Sequence, residues 1–402
     1  VIDFVKKITR RPVVGVGRFT SPDLMVAQVR RGVLDLIGGA RPSIADPFLP
    51  RKIDEGREHE IRECIGCNIC ISSWHDGVPV RCTQNPTAGE EWRNGWHPER
   101  VEPATGDAAI LIVGGGPAGL ECAVTLARRG YRVTIADEAA EFGGRLRFET
   151  GLPGLATWGR VIDWRLGQLR GRADVDLFPG NALTVEDVLG MEHDHVVVAT
   201  GARWTRMLYA PIELPTEEFA APRVYTPDDL AAGTVPEGAV LVFDFDNYYL
   251  GGAIAEGLAR RGIATTYATT AGSASAWTFM TNELPLVHRA LANAGVAIHT
   301  LRRVTGFDGT EVELADVFTG VRLRLACRSL VVVGVREPRD ELYRSLLARG
   351  PELTHAGIRS VDRIGDALAP GAIVHAVHSG HRHAREFDAA PGAIACKRDF
   401  PV

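Results

Sequence analysis

The sequence predicts an α/β protein built largely on parallel sheets, and three observations predict it. From residue 108 onward, short apolar strands alternate with helical segments. The run Val113-Gly114-Gly115-Gly116-Pro117-Ala118-Gly119 joins one such strand to one such helix. Nearer the N terminus, two further strands each end in a glycine turn, at Gly17 and at Gly39.

At 402 residues the chain is too long for one core, and two to three domains are expected. Hydrophobic residues make up 45% and charged residues 24%, the balance of a soluble globular protein. A formal charge of −5 leaves no footprint for nucleic acid or an anionic membrane. No apolar run reaches the length of a membrane span, and the basic, broken N-terminal stretch does not read as a signal peptide. A cytoplasmic location is expected. The chain begins at Val1, in mid-fold by the reading below, and is expected to be a portion of a longer protein.

The first elements are two short β/α units. Pro12–Arg18 reads as a strand and glycine turn, and a helix is entered at Ser21-Pro22-Asp23, with Ser21 at the N-cap and Pro22 in the first turn. Leu34–Arg41 repeats the strand and turn. Loops after the last two strands of a (β/α)8 barrel commonly bind phosphate through backbone N–H groups. Gly17, Arg18, Gly39 and Arg41 suit that role, though ordinary βα turns with solvated arginines would look the same. Two units cannot close a barrel of eight, so the remaining units would lie elsewhere.

Seven cysteines, an odd number, argue against a disulfide framework. Four form the set Cys64-x2-Cys67-x2-Cys70-x11-Cys82. Three thiolates so close in sequence wrap three corners of a cubane, and a distant fourth closes it, which predicts a [4Fe–4S] cluster. A zinc site or a redox-active CxxC is the alternative, but zinc usually takes two CxxC pairs separated by a longer loop. Cys122 and Cys327 read as core thiols in a helix and a strand, and Cys396 stands alone. Trp74, Trp92 and Trp96 flank the cysteine set and are expected to pack around it.

The next stretch is a nucleotide fold. Ala109–Val113 is a strand, Pro117–Arg129 a helix and Arg132–Ala136 a second strand. Gly114 permits the tight turn, Gly116 lets a pyrophosphate approach the backbone, and Gly119 lets helix pack on strand. Asp137, 23 residues after Gly114, is placed to accept from ribose hydroxyls. Gly144, Arg145, Thr200 and Gly201 are expected to line the same nucleotide, with Gly365 and Asp366 where the chain returns to this fold. A second βαβ unit spans Ala239–Ala268, but Asp244-Phe245-Asp246-Asn247-Tyr248-Tyr249 stands where glycines should be. Carboxylates at a helix N-terminus repel a pyrophosphate, so this unit reads as a nucleotide fold without its ligand and NAD(P)H use is not expected. His375, His378, His381 and His383 crowd one late helix. A metal is possible there, but exposed or cofactor-facing histidines are the expected reading.

Gly39-Ala40-Arg41-Pro42-Ser43-Ile44-Ala45-Asp46-Pro47-Phe48, Glu63-Cys64-Ile65-Gly66-Cys67-Asn68-Ile69-Cys70, Cys82-Thr83-Gln84-Asn85-Pro86 and the glycine-rich fold resemble, in that order, one family. It is that of trimethylamine, dimethylamine and histamine dehydrogenases, related to 2,4-dienoyl-CoA reductase. The neighbourhoods Asn247-Tyr248-Tyr249 and Ser275-Ala276-Trp277 look most like histamine dehydrogenase. The resemblance implies a C-terminal portion lacking most of its barrel. Its parts would be the end of an FMN-binding barrel (residues 1–62), a [4Fe–4S] segment and linker (63–106), a Rossmann-like domain for ADP or FAD (107–235 and 335–402) and a degenerate NAD(P)-type domain inserted in it (236–334). It implies FMN at Gly17, Arg18, Gly39 and Arg41, the cluster on the four cysteines, and ADP at Gly114–Gly119, or FAD in the reductase branch. It further implies oxidation of a small amine and an acceptor such as electron-transferring flavoprotein. The catalytic residues would precede Val1, and this portion alone would be inactive. A homo-oligomer is expected for the full-length protein. An NADPH-dependent enoyl thioester reductase and a non-catalytic electron-transfer subunit are the alternatives.

Overall fold

The computed structural model describes residues 4–208 and 219–389 and divides the chain into two compact units. The first comprises residues 1–144, 157–200 and 340–402; the second comprises 145–156 and 201–339. The sequence boundaries at 235 and 335 therefore fall inside the second unit. Val224–Tyr225 is the reason: it pairs in parallel with Ser329–Val333 and so belongs to that unit's sheet.

The first unit opens with β1 (Val14–Val16), α1 (Pro22–Arg30), β2 (Leu36–Gly38) and α2 (Ala40–Ala45). β1 and β2 pair in parallel, Val14 opposite Leu36. Ser21 occupies the N-cap position of α1, but its side chain makes no capping hydrogen bond. Arg41, read as a loop residue, lies in the first turn of α2. α3 (Ile69–His75) carries the third cysteine.

A five-stranded sheet follows. β3 (Ala109–Val113) leads through the glycine turn into α4 (Pro117–Arg129), then β4 (Arg132–Asp137), α5 (Arg160–Leu169), β5 (Val175–Pro179) and β6 (His195–Val198). All five residues of β3 are buried, as a strand covered on both faces requires.

The second unit contains β7 (Val224–Tyr225), β8 (Val240–Asp244), α6 (Leu250–Arg260), β9 (Thr265–Thr269) and β10 (Ala297–His299). β11 (Arg302–Phe307), β12 (Glu311–Asp316) and β13 (Arg322–Ala326) form an antiparallel sheet, and β14 (Ser329–Val333) returns to the parallel one. That parallel sheet runs β10-β9-β8-β14-β7. Cys327 lies between β13 and β14 rather than within a strand; it is buried, and its thiol donates to the Ser329 carbonyl at 3.1 Å.

The chain then re-enters the first unit. β15 (Ser360–Arg363) pairs with β6, completing a parallel sheet of order β15-β6-β3-β4-β5, and α7 (Ile373–Glu386) packs on α4. Their approach is close enough that a Cβ on Gly380 would run into the Ala118 carbonyl oxygen. Among the described residues, no helix is long and apolar enough to cross a membrane.

Candidate functional site

The cysteine set is assembled by one loop and the first turn of α3. Cys64, Cys67, Cys70 and Cys82 are all free and half-buried, and neighbouring thiols among the four perturb one another electrostatically. Left-handed Gly66 (φ 72°) and Asn68 (φ 57°) turn the backbone tightly enough to present Cys64, Cys67 and Cys70 together. The Gly66 amide donates to the Cys64 Sγ and the Asn85 amide to the Cys82 Sγ, both at 3.4 Å, and the Thr83 hydroxyl lies 3.2 Å from the Cys67 Sγ. Burial pushes the Cys67 thiol up to about 11 and the Cys82 thiol up to about 12, with the neighbouring thiols adding to the shift. Thiolates there need a cationic partner. Among the described residues, no group of three or more His, Cys, Asp or Glu closes on a single ion. A cubane does not ask for that, because each thiolate binds a different iron. The donor set, four thiols with amide and hydroxyl donors aimed at three of them, fits such a cluster.

The loop is braced on several sides. The Arg18 guanidinium donates to the Gly66 carbonyl, and that of Arg41 to Asn68 Oδ1 at 2.6 Å. Arg160 donates to the Cys64 carbonyl at 2.9 Å and the Thr157 hydroxyl to that of Ile65 at 3.1 Å. The two candidate phosphate arginines therefore reach the cysteine loop, which sequence spacing did not suggest. Five N–H donors on each guanidinium make this compatible with a phosphate contact as well.

Trp74 and Trp92 do not pack around the cysteines as expected: they are 74% and 68% exposed. Trp96 is buried, but against His378 and His381. Proximity in sequence gave no information about which helix face each ring occupies.

The glycine turn is built as a phosphate cradle. Gly114 has φ 111°, and a Cβ there would meet the Ala199 carbonyl. A Cβ on Gly119 would meet the Gly114 carbonyl oxygen, so α4 can approach β3 only with glycine at that position. Gly116 faces open space and begins α4 with φ −74°, leaving room for a pyrophosphate at the helix N-terminus. Gly144 lies against the Gly116 Cα. The Asp137 carboxylate accepts from the Gly115 amide at 2.5 Å and the Ala139 amide at 2.8 Å, which fixes it at the end of β4. Gly365 (φ 61°) abuts Ala118, and Asp366 is buried and accepts from the Gly371 amide at 3.0 Å. The cradle fits an adenine nucleotide. Thr200 ends the first unit, while Arg145 and Gly201 open segments of the second. Arg145 is engaged there by Glu149 and the Tyr249 hydroxyl.

In the second unit, Asp244 explains why the corresponding turn differs. Its carboxylate is packed against Gly251 in the first turn of α6, where a bound phosphate would lie, and accepts from the Asn247 amide at 2.9 Å and from the Tyr267 hydroxyl. Burial, with Asp246 beside it, pushes Asp244 up to about 7.

His381 is not exposed. It is buried, and its Nδ1 lies 2.9 Å from Glu121 Oε1. His375 folds back on its own helix terminus, where the Ala372 amide donates to its Nδ1 at 3.2 Å. Glu121 sits on α4 against Arg165 Nη2 at 2.8 Å. Burial alone would raise Glu121, but Arg165 and His381 override it and hold the carboxyl at about 2. Burial lowers His381 to about 4 despite Glu121. A buried imidazole with a lowered pKa binds its proton less well folded than unfolded. Its contribution is therefore complete above pH 6.5 and lost as pH falls toward 4. Acidification across that window should cost on the order of 3 kcal/mol, and His381→Gln should flatten the fall in Tm. A slope unchanged by the substitution would remove His381 from the account. Glu121 and Arg165 were missed in the sequence. The available signal was a lone charge on an otherwise apolar helical stripe, which a core tolerates only when paired.

Comparison with known proteins agrees with this geometry. The NADH:flavin oxidoreductase / NADH oxidase family model matches residues 1–60, and the pyridine nucleotide-disulphide oxidoreductase model matches residues 108–232. Dimethylamine dehydrogenase of Hyphomicrobium sp. is 39% identical over 97% of this chain and 56% of its own length. The structure of histamine dehydrogenase from Rhizobium sp. 4-9 superposes with a TM-score of 0.93 at 45% identity, covering 99% of this chain and 58% of that one. The 6-hydroxypseudooxynicotine amine oxidase of Pseudomonas geniculata N1 gives 0.91 at 48% identity, covering 96% and 58%. The chain thus spans a little over half the length of these relatives. Along nearly its whole length, then, the chain is similar to a little over half of dimethylamine and histamine dehydrogenases.

Proposed function

We propose that this chain carries the electron-transfer portion of an amine dehydrogenase. The full-length enzyme would oxidise a small amine of the histamine, trimethylamine or dimethylamine class at FMN. Electrons would leave through a [4Fe–4S] cluster to a protein acceptor such as electron-transferring flavoprotein. The observation that carries this reading is the set of four free, half-buried thiols whose loop is braced by the two candidate phosphate arginines.

In this reading Gly17, Arg18, Gly39 and Arg41 hold the phosphate end of FMN. Cys64, Cys67, Cys70 and Cys82 hold the cluster. Gly114, Gly116, Gly119, Asp137, Gly144, Thr200, Gly365 and Asp366 would serve an ADP site within the first unit. The flavin supplies amine oxidation and the cluster supplies one-electron transfer when bound. The protein's share is positioning. Arg18 and Arg41 tie the phosphate loops to the cysteine loop, so the residues that would hold the flavin phosphate also brace the loop that would hold the cluster. The Asn85 amide favours thiolate over thiol at Cys82. Asp244 supports a protein acceptor over NADPH, because a carboxylate already occupies the phosphate position of the second nucleotide fold.

The test is to purify the protein anaerobically, denature it and chromatograph what is released. ADP without FAD, together with iron and acid-labile sulfide in equal amounts, is expected. Release of FAD would make the nucleotide redox-active and move the NADPH-dependent reductase ahead.

A further inference from the structure

Two guanidinium groups lie buried beside the cysteine segment. Arg62 is 2% exposed and Arg165 has no exposed surface. Arg62 precedes Cys64 by two residues. Its guanidinium reaches only the Asn85 Oδ1 at 3.3 Å and the Pro98 carbonyl at 3.5 Å and stacks 4.5 Å from the Trp164 ring, while its backbone amide donates at 3.0 Å to the Asp46 carboxylate, which is itself paired with buried Lys52 at 2.7 Å. The guanidinium has no carboxylate partner among the described residues, and its Nε has no hydrogen-bond partner there. Arg165 stacks on the same ring at 5.7 Å. It donates to the Gln84 Oε1 at 3.0 Å and to the Gln84 carbonyl at 3.4 Å, two residues after Cys82. Gln84 also donates to the Glu63 carbonyl at 3.0 Å, so one side chain joins both ends of the cysteine segment to Arg165. The carboxylate answering this pair is Glu121, through Arg165. His381, held neutral by burial, adds no charge near pH 7.

A guanidinium stays protonated throughout the range in which proteins fold. Burying one without an anion is costly. Two buried cations against one carboxylate therefore leave a positive excess, placed at both ends of the segment carrying the four thiols. A thiolate-ligated cluster is the anion that would balance it.

We propose that Arg62 and Arg165 are the built-in counter-charge of the cluster, with Glu121 trimming it, so that these positioning residues set the potential at which an electron enters. The inference rests on the cluster reading above. One electron arriving from reduced flavin adds one negative charge to the site, and no proton need accompany it. Nearby positive charge favours the reduced form, and nearby negative charge opposes it.

The test is a redox titration of the full-length, cluster-loaded protein with dithionite, followed by low-temperature electron paramagnetic resonance. Arg165→Gln and Arg62→Met should lower the potential. Glu121→Gln should raise it. Each shift should be about tenfold in the reduced-to-oxidised ratio at a given poise, about 59 mV for a one-electron couple. Arg165→Lys should stay close to wild type. Opposite signs separate a charge effect from damage, since loosened packing would move all variants the same way. If Arg165→Gln fails to retain a cluster, Glu121→Gln still decides. A potential that is unchanged or lowered in Glu121→Gln overturns the counter-charge. A wild-type protein without any reduced-cluster signal overturns the cluster reading, and this inference with it.

Discussion

Cys67→Ser protein, reduced anaerobically, should show no low-temperature paramagnetic signal of a cubane. Cys67 is the middle of the three cysteines that the Gly66 and Asn68 turns present together. Its Sγ is buried next to the Thr83 hydroxyl. A serine there offers a harder ligand on a shorter bond, and a cubane with three thiolates is left open at one corner. Cys122→Ser is the control. That thiol is buried inside α4, so the substitution should cost about 1–3 kcal/mol of stability while the signal persists. An unchanged spectrum in Cys67→Ser would remove Cys67 from the ligand set.

Gly119→Val should unfold or severely destabilise the first unit, by about 3 kcal/mol or more. A side chain at Gly119 collides with the backbone oxygen of Gly114 and with Ile112, and backbone cannot move aside as a flexible side chain can. Gly116→Ala separates folding from binding. No protein atom lies within 4 Å of a Cβ there, and φ −74° suits alanine. The melting temperature of nucleotide-free Gly116→Ala should match wild type, while nucleotide affinity falls at least about tenfold, about 1.4 kcal/mol. Calorimetry with ADP reads both. Equal affinity in Gly116→Ala would show that the pyrophosphate does not pass over this position.

The parts of the fold legible in the sequence were those governed by neighbours along the chain. The bounds of β3 and α4 came out as the apolar run, glycine turn and Pro117 had predicted, since each signal acts within a few residues. The parallel pairing of β1 with β2 agrees with the glycine-ended strands at Gly17 and Gly39. The antiparallel β11–β13 sheet went unread, although Arg322-Leu323-Arg324-Leu325 alternates with the period of a half-buried strand. The division at Thr200 was missed because very short pairings decide it, Ala202–Trp204 with Arg336–Pro338 and β7 with β14, and strands so short leave no periodic trace.

Sequence alone carried the residue types of the candidate site: four cysteines at close spacing, a glycine turn between strand and helix, and a second turn that has carboxylates where glycines should be. These depend on residue type and short-range spacing, which folding does not alter. Tertiary structure decided which groups stand beside that chemistry. It brought Arg18 and Arg41 onto the cysteine loop, set Trp74 and Trp92 outside it, and joined Glu121, Arg165 and His381 into one buried cluster. Glu121 and His381 are 260 residues apart. Their pairing follows from α4 packing on α7, and from the cost of burying a charge without a partner.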